Sequence, residues 1–135
     1  MPLPPYVVGP AVGYSHTHTV ILLHGLGSNA KEFASEFFES EASGTEIDRT
    51  LPALFPTIKW VFPQARWRVV RSEQFGDRAA WFEMTSTDDP QENGSLQMPG
   101  LRSSFYYLTS EIKNEEKSVP RSRIFLGGIS QGFAT

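Results

Sequence analysis

The stretch Gly128-Ile129-Ser130-Gln131-Gly132, close to the last residue of a 135-residue chain, does most to narrow the folds open to it. It follows the apolar run Ile124-Phe125-Leu126-Gly127. A G-x-S-x-G string in that position matches the nucleophile elbow, a sharp turn between a strand and a helix that lifts a serine hydroxyl clear of the backbone. The turn holds its serine in a sparsely populated conformation that costs on the order of 1–3 kcal/mol. Gly128 and Gly132 leave room where strand and helix nearly touch. The string alone is a weak signal; a strand before it and a second motif upstream make it strong. Only three residues follow Gly132. The helix of the elbow is therefore not expected to form, and Ser130 is expected to relax toward an extended conformation.

The rest of the chain alternates in the way such a turn requires. Thr17 to Leu23 is β-branched and ends in a continuous apolar run, the mark of a strand buried on both faces. His24-Gly25-Leu26-Gly27-Ser28 forms the loop after it. Asn29 with Glu32 resembles a capping box, and Phe33, Phe37 and Phe38 mark one face of the helix that follows. Residues 40–50 read as loop and Leu51 to Phe55 as a helical turn. Ile58 to Phe62 reads as a second inner strand, closed by Pro63. Residues 64–100 form an excursion, with Trp81-Phe82 embedded in it and a solvated turn at Asp88, Asp89 and Glu92. Leu101, Phe105, Leu108 and Ile112 recur at helical spacing after Pro99-Gly100. Arg123 to Gly127 then leads into the elbow. Near the N-terminus, Tyr6-Val7-Val8 predicts a short edge strand or an extended arm. Strands alternating with helices argue for βαβ units and a mostly parallel sheet with crossover helices, an α/β fold.

Composition removes several classes. A net charge of −3 leaves no footprint for nucleic acid. The absence of cysteine excludes disulfides and thiolate chemistry. No run approaches the ~18 apolar residues of a membrane span. Met1-Pro2-Leu3-Pro4-Pro5 lacks the pattern of a signal peptide, so a cytoplasmic location is expected, and Asn93-Gly94-Ser95 reads as a turn rather than a glycosylation site.

Ser130 as a nucleophile needs a base, an orienting acid and donors for an oxyanion. His24-Gly25-Leu26-Gly27 is the second motif: the loop after the first inner strand supplies one backbone N–H and the residue after the nucleophile supplies the other. Those are the amides of Leu26 and Gln131. The alternative is an ordinary glycine-rich turn. Gly25-Leu26-Gly27-Ser28-Asn29-Ala30 also matches G-x-G-x-x-A, a dinucleotide fingerprint, but the acid it needs, Glu46 or Asp48, follows no strand-like run. Trp81 and Phe82 are placed either on the wall of an acyl-binding cleft or in simple packing under it. The three histidines, His16, His18 and His24, all precede Ser130, whereas the α/β-hydrolase order is Ser, then acid, then His. His24 therefore reads as a structural loop residue, and His16 and His18 as solvated residues at a strand edge rather than a metal pair. The α/β-hydrolase domain over residues 1–135 is expected to be partial, cut after the elbow, with its acid and base in a missing C-terminal part.

Val20-Ile21-Leu22-Leu23-His24-Gly25-Leu26-Gly27-Ser28-Asn29, Lys59-Trp60-Val61-Phe62-Pro63, Trp81-Phe82-Glu83 and Arg123 to Gly132 together resemble the acyl-protein thioesterase, or phospholipase/carboxylesterase, family of α/β-hydrolases. His16-Thr17-His18-Thr19 and Leu96 to Leu101 are similar to its fungal members. The resemblance implies hydrolysis of carboxylic esters or thioesters, of small molecules or S-acylated proteins, with Ser130 as nucleophile and no cofactor or metal. Glu83 stands where the family often carries Asp, and Phe133 replaces a small residue. A non-catalytic relic or binding module is the other reading, ahead of a dinucleotide-binding unit.

Overall fold

The computed structural model describes residues 3–39, 50–69, 77–83 and 94–135. Its central sheet has four strands: β1 (Tyr6–Val8), β2 (His18–Leu23), β3 (Ile58–Phe62) and, after the elements named next, β6 (Ile124–Gly128). Between them lie α1 (Ala30–Glu39), α2 (Leu51–Leu54), the strands β4 (Trp67–Val69) and β5 (Asp77–Ala79), and α3 (Gly94–Glu115); α4 (Gln131–Ala134) follows β6. The order across the sheet is β1-β3-β2-β6, with β4 and β5 forming a separate antiparallel pair. β2 is parallel to both neighbours, and only β1 runs antiparallel, against β3. The expected edge strand, inner strands and mostly parallel sheet are all present.

Both faces of β2 are covered, as its apolar run requires. Val20 and Leu22 point toward α1, where Phe33, Trp60 and Phe62 are buried and Phe37 and Phe38 pack against them. Phe33 meets Phe62 edge-on at 5.7 Å and Phe38 meets Trp60 at 5.4 Å. Contacts of this kind contribute about 0.5–1.5 kcal/mol each beyond burial. On the opposite face Leu23, Ala65, Trp81, Phe82 and Leu108 form a second cluster under α3. The helix α1 is preceded and capped by Asn29, whose Oδ1 accepts from the Glu32 N–H at 2.8 Å while its Nδ2 donates to the Glu32 carboxylate at 3.0 Å.

Two expectations about α3 change. The helix starts at Gly94, so Gly94 and Ser95 are helical rather than a turn, and Pro99 lies inside it. Pro99 lacks only the N–H that would reach Ser95 near the helix start, a single bond. Packing makes up for it: a Cβ on Gly100 would lie 2.7 Å from Phe82 Cα, so the helix approaches that segment as closely as backbone allows. The buried stripe is also rotated from Leu101-Phe105-Leu108, because Ser104 is buried and Phe105 is exposed. Residues 40–49 and the turn at Asp88, Asp89 and Glu92 lie outside the described residues.

At the amino ends of the strands, Glu115 is buried and accepts from Thr19 Oγ1 at 3.0 Å and from Lys59 Nζ at 2.8 Å. His16 Nε2 donates to the same Thr19 hydroxyl at 2.7 Å, so His16 belongs to this network rather than to open solvent. His18 Nδ1 and the Thr17 hydroxyl share a hydrogen bond at 2.8 Å, and the His18 ring stacks on Phe125. Burial, then the charge of Glu115, pushes the Glu111 carboxyl up, with Lys59 opposing. A raised carboxyl holds its proton more tightly in the folded chain than in the unfolded one. Its contribution to stability is present at acid pH and lost as pH rises from 4.5 through the folded value. Glu111→Gln is expected to raise the urea midpoint at pH 7, and the gain should vanish below pH 4.

Among the described residues β6 pairs only with β2, and Phe125 and Leu126 are 57% and 53% exposed. An apolar strand edge of this kind templates association. Leu126→Lys is expected to shift the chain toward monomer in size-exclusion chromatography at equal concentration.

Candidate active site

Parallel pairing of β2 with β6 brings their carboxyl ends to one edge of the sheet, where α/β folds place their sites. The register matches Leu23 to Gly128, so the His24–Ser28 loop emerges beside Ile129 and Ser130. A Cβ on Gly25 would lie 3.7 Å from both the Ile129 carbonyl and Ser130 Cβ. The two motifs, about a hundred residues apart in sequence, therefore share one corner.

Ser130 is exposed and stands at φ 55, ψ −120, the one described non-glycine residue with positive φ. The expectation that it would relax is not met, nor is the expectation that α4 could not form. The helix is one turn, closed by Ala134 N–H to the Ser130 carbonyl at 3.1 Å, and the turn before it is closed by Gly132 N–H to Ile129 at 3.0 Å. Ile129 N–H bonds the Leu23 carbonyl at 3.1 Å, which ties the elbow to β2. A serine at a helix start ordinarily caps it, yet the Ser130 side chain makes no capping bond. Gly128 and Gly132 are required by contact: a Cβ on Gly132 would lie 2.5 Å from the Leu23 carbonyl oxygen, and one on Gly128 2.6 Å from the Gly132 backbone.

In the neighbouring loop, Gly27 adopts φ 79 and donates to Ala79 at 2.9 Å. Neither the Leu26 nor the Gln131 N–H donates to an acceptor among the described residues. His24 is fully buried. Its Nδ1–H donates to the Gly25 carbonyl at 2.8 Å and its Nε2 accepts from Ala65 N–H at 3.1 Å, which fixes the neutral tautomer. Burial pushes its pKa below 6.5, against a weaker pull from Gly25. Both ring nitrogens are thus committed to loop structure. His16 and His18 sit at the other end of β2, roughly 16 Å from Ser130 at ~3.3 Å per strand residue. Among the described residues no group of three or more His, Asp or Glu side chains could hold a metal ion, and no helix is long and apolar enough to cross a membrane.

Trp81 and Phe82 do not wall a cleft. They are 1% and 5% exposed, in the core beneath the site. Trp81 Nε1–H donates to the His24 carbonyl at 2.8 Å, and its ring packs 5.1 Å from the imidazole. Burial of the indole places the pair under the His24–Ser28 loop. Three partners went unread in the sequence. The Gln131 side chain, 2% exposed, bonds the backbone of both residues. Ser104 Oγ donates to the Trp81 carbonyl at 2.6 Å. Gln64 Oε1 accepts the first N–H of α1 at 2.8 Å. Ser104 was legible in principle, since a polar residue between Leu101 and Leu108 in an apolar stripe implies a buried hydrogen bond.

A profile of the phospholipase/carboxylesterase family matches residues 7–135. The chain belongs to that family. It is 34% identical over 138 aligned positions to acyl-protein thioesterase 1 of Yarrowia lipolytica, covering 98% of this chain and 54% of the relative. It is 32% identical over 124 positions to acyl-protein thioesterase 1 of Cryptococcus neoformans, covering 89% and 46%. Among solved structures, Zea mays acyl-protein thioesterase 2 superposes with a TM-score of 0.61 at 27% identity, over 95% of this chain and 46% of that one. The esterase PE8 shares the fold, with a TM-score of 0.63 at 21% identity, over 98% and 54%. The fold is that of the α/β-hydrolases, and the chain spans about half the length of the relatives it matches.

Of the departures from the family pattern, Phe133 has a plain accommodation: it is 79% exposed, and the tight backbone contacts of the elbow fall on Gly128 and Gly132. The acid of the dinucleotide reading, Glu46 or Asp48, lies outside the described residues. The contact distances set an order among the glycines of this phospholipase/carboxylesterase corner. Gly132→Ala is expected to cost about 3 kcal/mol, since backbone blocks the new methyl, and Gly25→Ala under about 1 kcal/mol, since 3.7 Å is ordinary contact. Denaturant unfolding of the two variants should show that order.

Proposed function

We propose that the chain is the elbow-bearing part of a serine hydrolase that cleaves carboxylic esters or thioesters. The observation that carries this is Ser130: an exposed serine held at φ 55 with its hydroxyl released from capping, beside a glycine loop. Backbone strain of that kind clusters at functional sites. In this reading Ser130 Oγ attacks the acyl carbon while a general base removes its proton. The developing oxyanion is met by the Leu26 and Gln131 amides. The alcohol or thiol then departs with a proton, and water releases the acid from the acyl-enzyme by the reverse roles. His24, Gly25, Gly27, Gly128 and Gly132 shape the corner without reacting.

Neither the buried His24 nor the distant His16 and His18 is placed to be that base. We assign the base and its orienting acid to residues beyond 1–135, in a longer domain of which this chain is one part. The substrate is a small-molecule ester or an S-acylated protein, and nothing in the reaction calls for a cofactor.

The test uses p-nitrophenyl butyrate and a short acyl thioester. Residues 1–135 alone are expected to turn over no faster than the Ser130→Ala variant. Oxyanion donors without a triad leave only about 10³–10⁴ over water, and that portion does not need the serine. Joined to a family C-terminal half that supplies acid and histidine, the chain is expected to hydrolyse both substrates in a manner that Ser130→Ala abolishes. A folded but inert joined chain would favour the non-catalytic relic, and Ser130-dependent turnover by residues 1–135 alone would move the base back inside them.

A further inference from the structure

We infer that the side chain of Gln131 is a positioning residue that sets the alignment of the two candidate oxyanion amides. The inference deepens the hydrolase reading and rests on it. It starts from the Trp81-Phe82 segment, which lies in neither strand nor helix yet is buried. Buried backbone polar groups must be paired, and where no ladder reaches them side chains can supply the partners.

Gln131 supplies two of them. Its Oε1 accepts the Trp81 N–H at 2.8 Å and its Nε2 donates to the Phe82 carbonyl at 3.0 Å. The same tryptophan donates from its indole to the His24 carbonyl at 2.8 Å. One amide N–H, that of Gln131, therefore connects through its own side chain and Trp81 to the carbonyl two residues before Leu26, which carries the other. Gly132 presses on that same carbonyl, 2.6 Å from where its Cβ would be. Steric contact sets how close the elbow and the loop can come. The hydrogen-bonded bridge sets how they are aligned.

The chemistry demanded at position 131 is narrow. The side chain has to accept from an N–H and donate to a carbonyl at once, which a primary amide does and an ionised carboxylate does not. A protonated carboxyl does both. Gln131→Glu is therefore a switchable version of the bridge, intact when protonated and broken when ionised.

The experiment follows the backbone N–H of Leu26 and the indole N–H of Trp81 by ¹H–¹⁵N NMR in the chain carrying Gln131→Glu. The wild type at each pH is the control. The expected result is wild-type positions for both signals below about pH 5, with both moving together as the carboxyl ionises. If Trp81 moves and Leu26 does not, Gln131 is only a local anchor and the inference falls. If neither moves, the bridge carries no alignment and it falls as well. Gln131→Met, which offers no donor, should hold Leu26 at its displaced position at every pH; if it does not fold, the pH series on Gln131→Glu still decides. In the chain joined to its C-terminal half, Gln131→Glu at neutral pH should lower kcat about 10- to 100-fold with KM changed less than about twofold. Hydrolysis unaffected by Ser130→Ala would instead remove the hydrolase reading, a failure that leaves the NMR result standing.

Discussion

The closeness of Gly132 to the end of β2 is the contact on which the rest of this corner depends. With the Leu23 and His24 carbonyls 2.5 and 2.6 Å from the place of its missing Cβ, α4 lies directly on the strand that carries the facing loop. That approach is available only because β2 and β6 are parallel and in the register that pairs Leu23 with Gly128. Shift the register by one residue and the side chains of β6 exchange faces, and the glycines no longer meet the carbonyls. The sheet, more than the turn, makes the elbow.

This explains why a one-turn helix suffices. Isolated helices below ~12–15 residues are marginal in water, and on that ground the five residues from Gln131 to Thr135 were not expected to hold a strained serine. Propensity is the wrong measure here. Ser130 is held by what brackets it: Ile129 N–H on the Leu23 carbonyl, Gly132 N–H on Ile129, and the buried Gln131 side chain on Trp81 and Phe82. Three tertiary or turn anchors within four residues leave Ser130 little room to flatten, at a cost of roughly 1–3 kcal/mol spread over them.

Elements whose partners are near in sequence, or whose pattern is strongly periodic, were legible in the sequence. The apolar run of β2, the Asn29 cap with Phe33, Phe37 and Phe38, and the β3 run to Pro63 fall where the residues imply. What escaped was the packing of the excursion. Trp81-Phe82 looks the same in sequence whether it walls a cleft or fills a core, because apolar side chains carry no signal for which face they meet. Ser104 decides the question by fixing α3 on the segment's carbonyl. Pro99-Gly100 misled for a related reason: the dipeptide reads as a boundary, while in the fold Gly100 is where the helix axis passes closest to Phe82. Gln131 was read for its N–H alone, since the sequence does not show that a buried, non-sheet backbone lies opposite its side chain.

α3 is fastened at both edges of the sheet, by unlike chemistry at each. At the amino edge Glu115 takes Thr19 and Lys59, an arrangement in which a carboxylate with little exposure depends on its cationic partner. Removing that cation alone would leave a buried charge, worth several kcal/mol, whereas neutral partners at the other edge involve no such penalty. At the carboxyl edge the helix meets Trp81-Phe82 through Gly100 contact and one hydroxyl bond from Ser104. The charged fastening is far from Ser130 and the neutral one is beneath it. Placing the ionic anchor at the amino edge keeps its field away from the corner where the Leu26 and Gln131 dipoles would have to meet an anion. A carboxylate as close to those amides as Glu115 is to Thr19 would compete for them. The ionic fastening and the neutral one thus sit at opposite edges of the sheet.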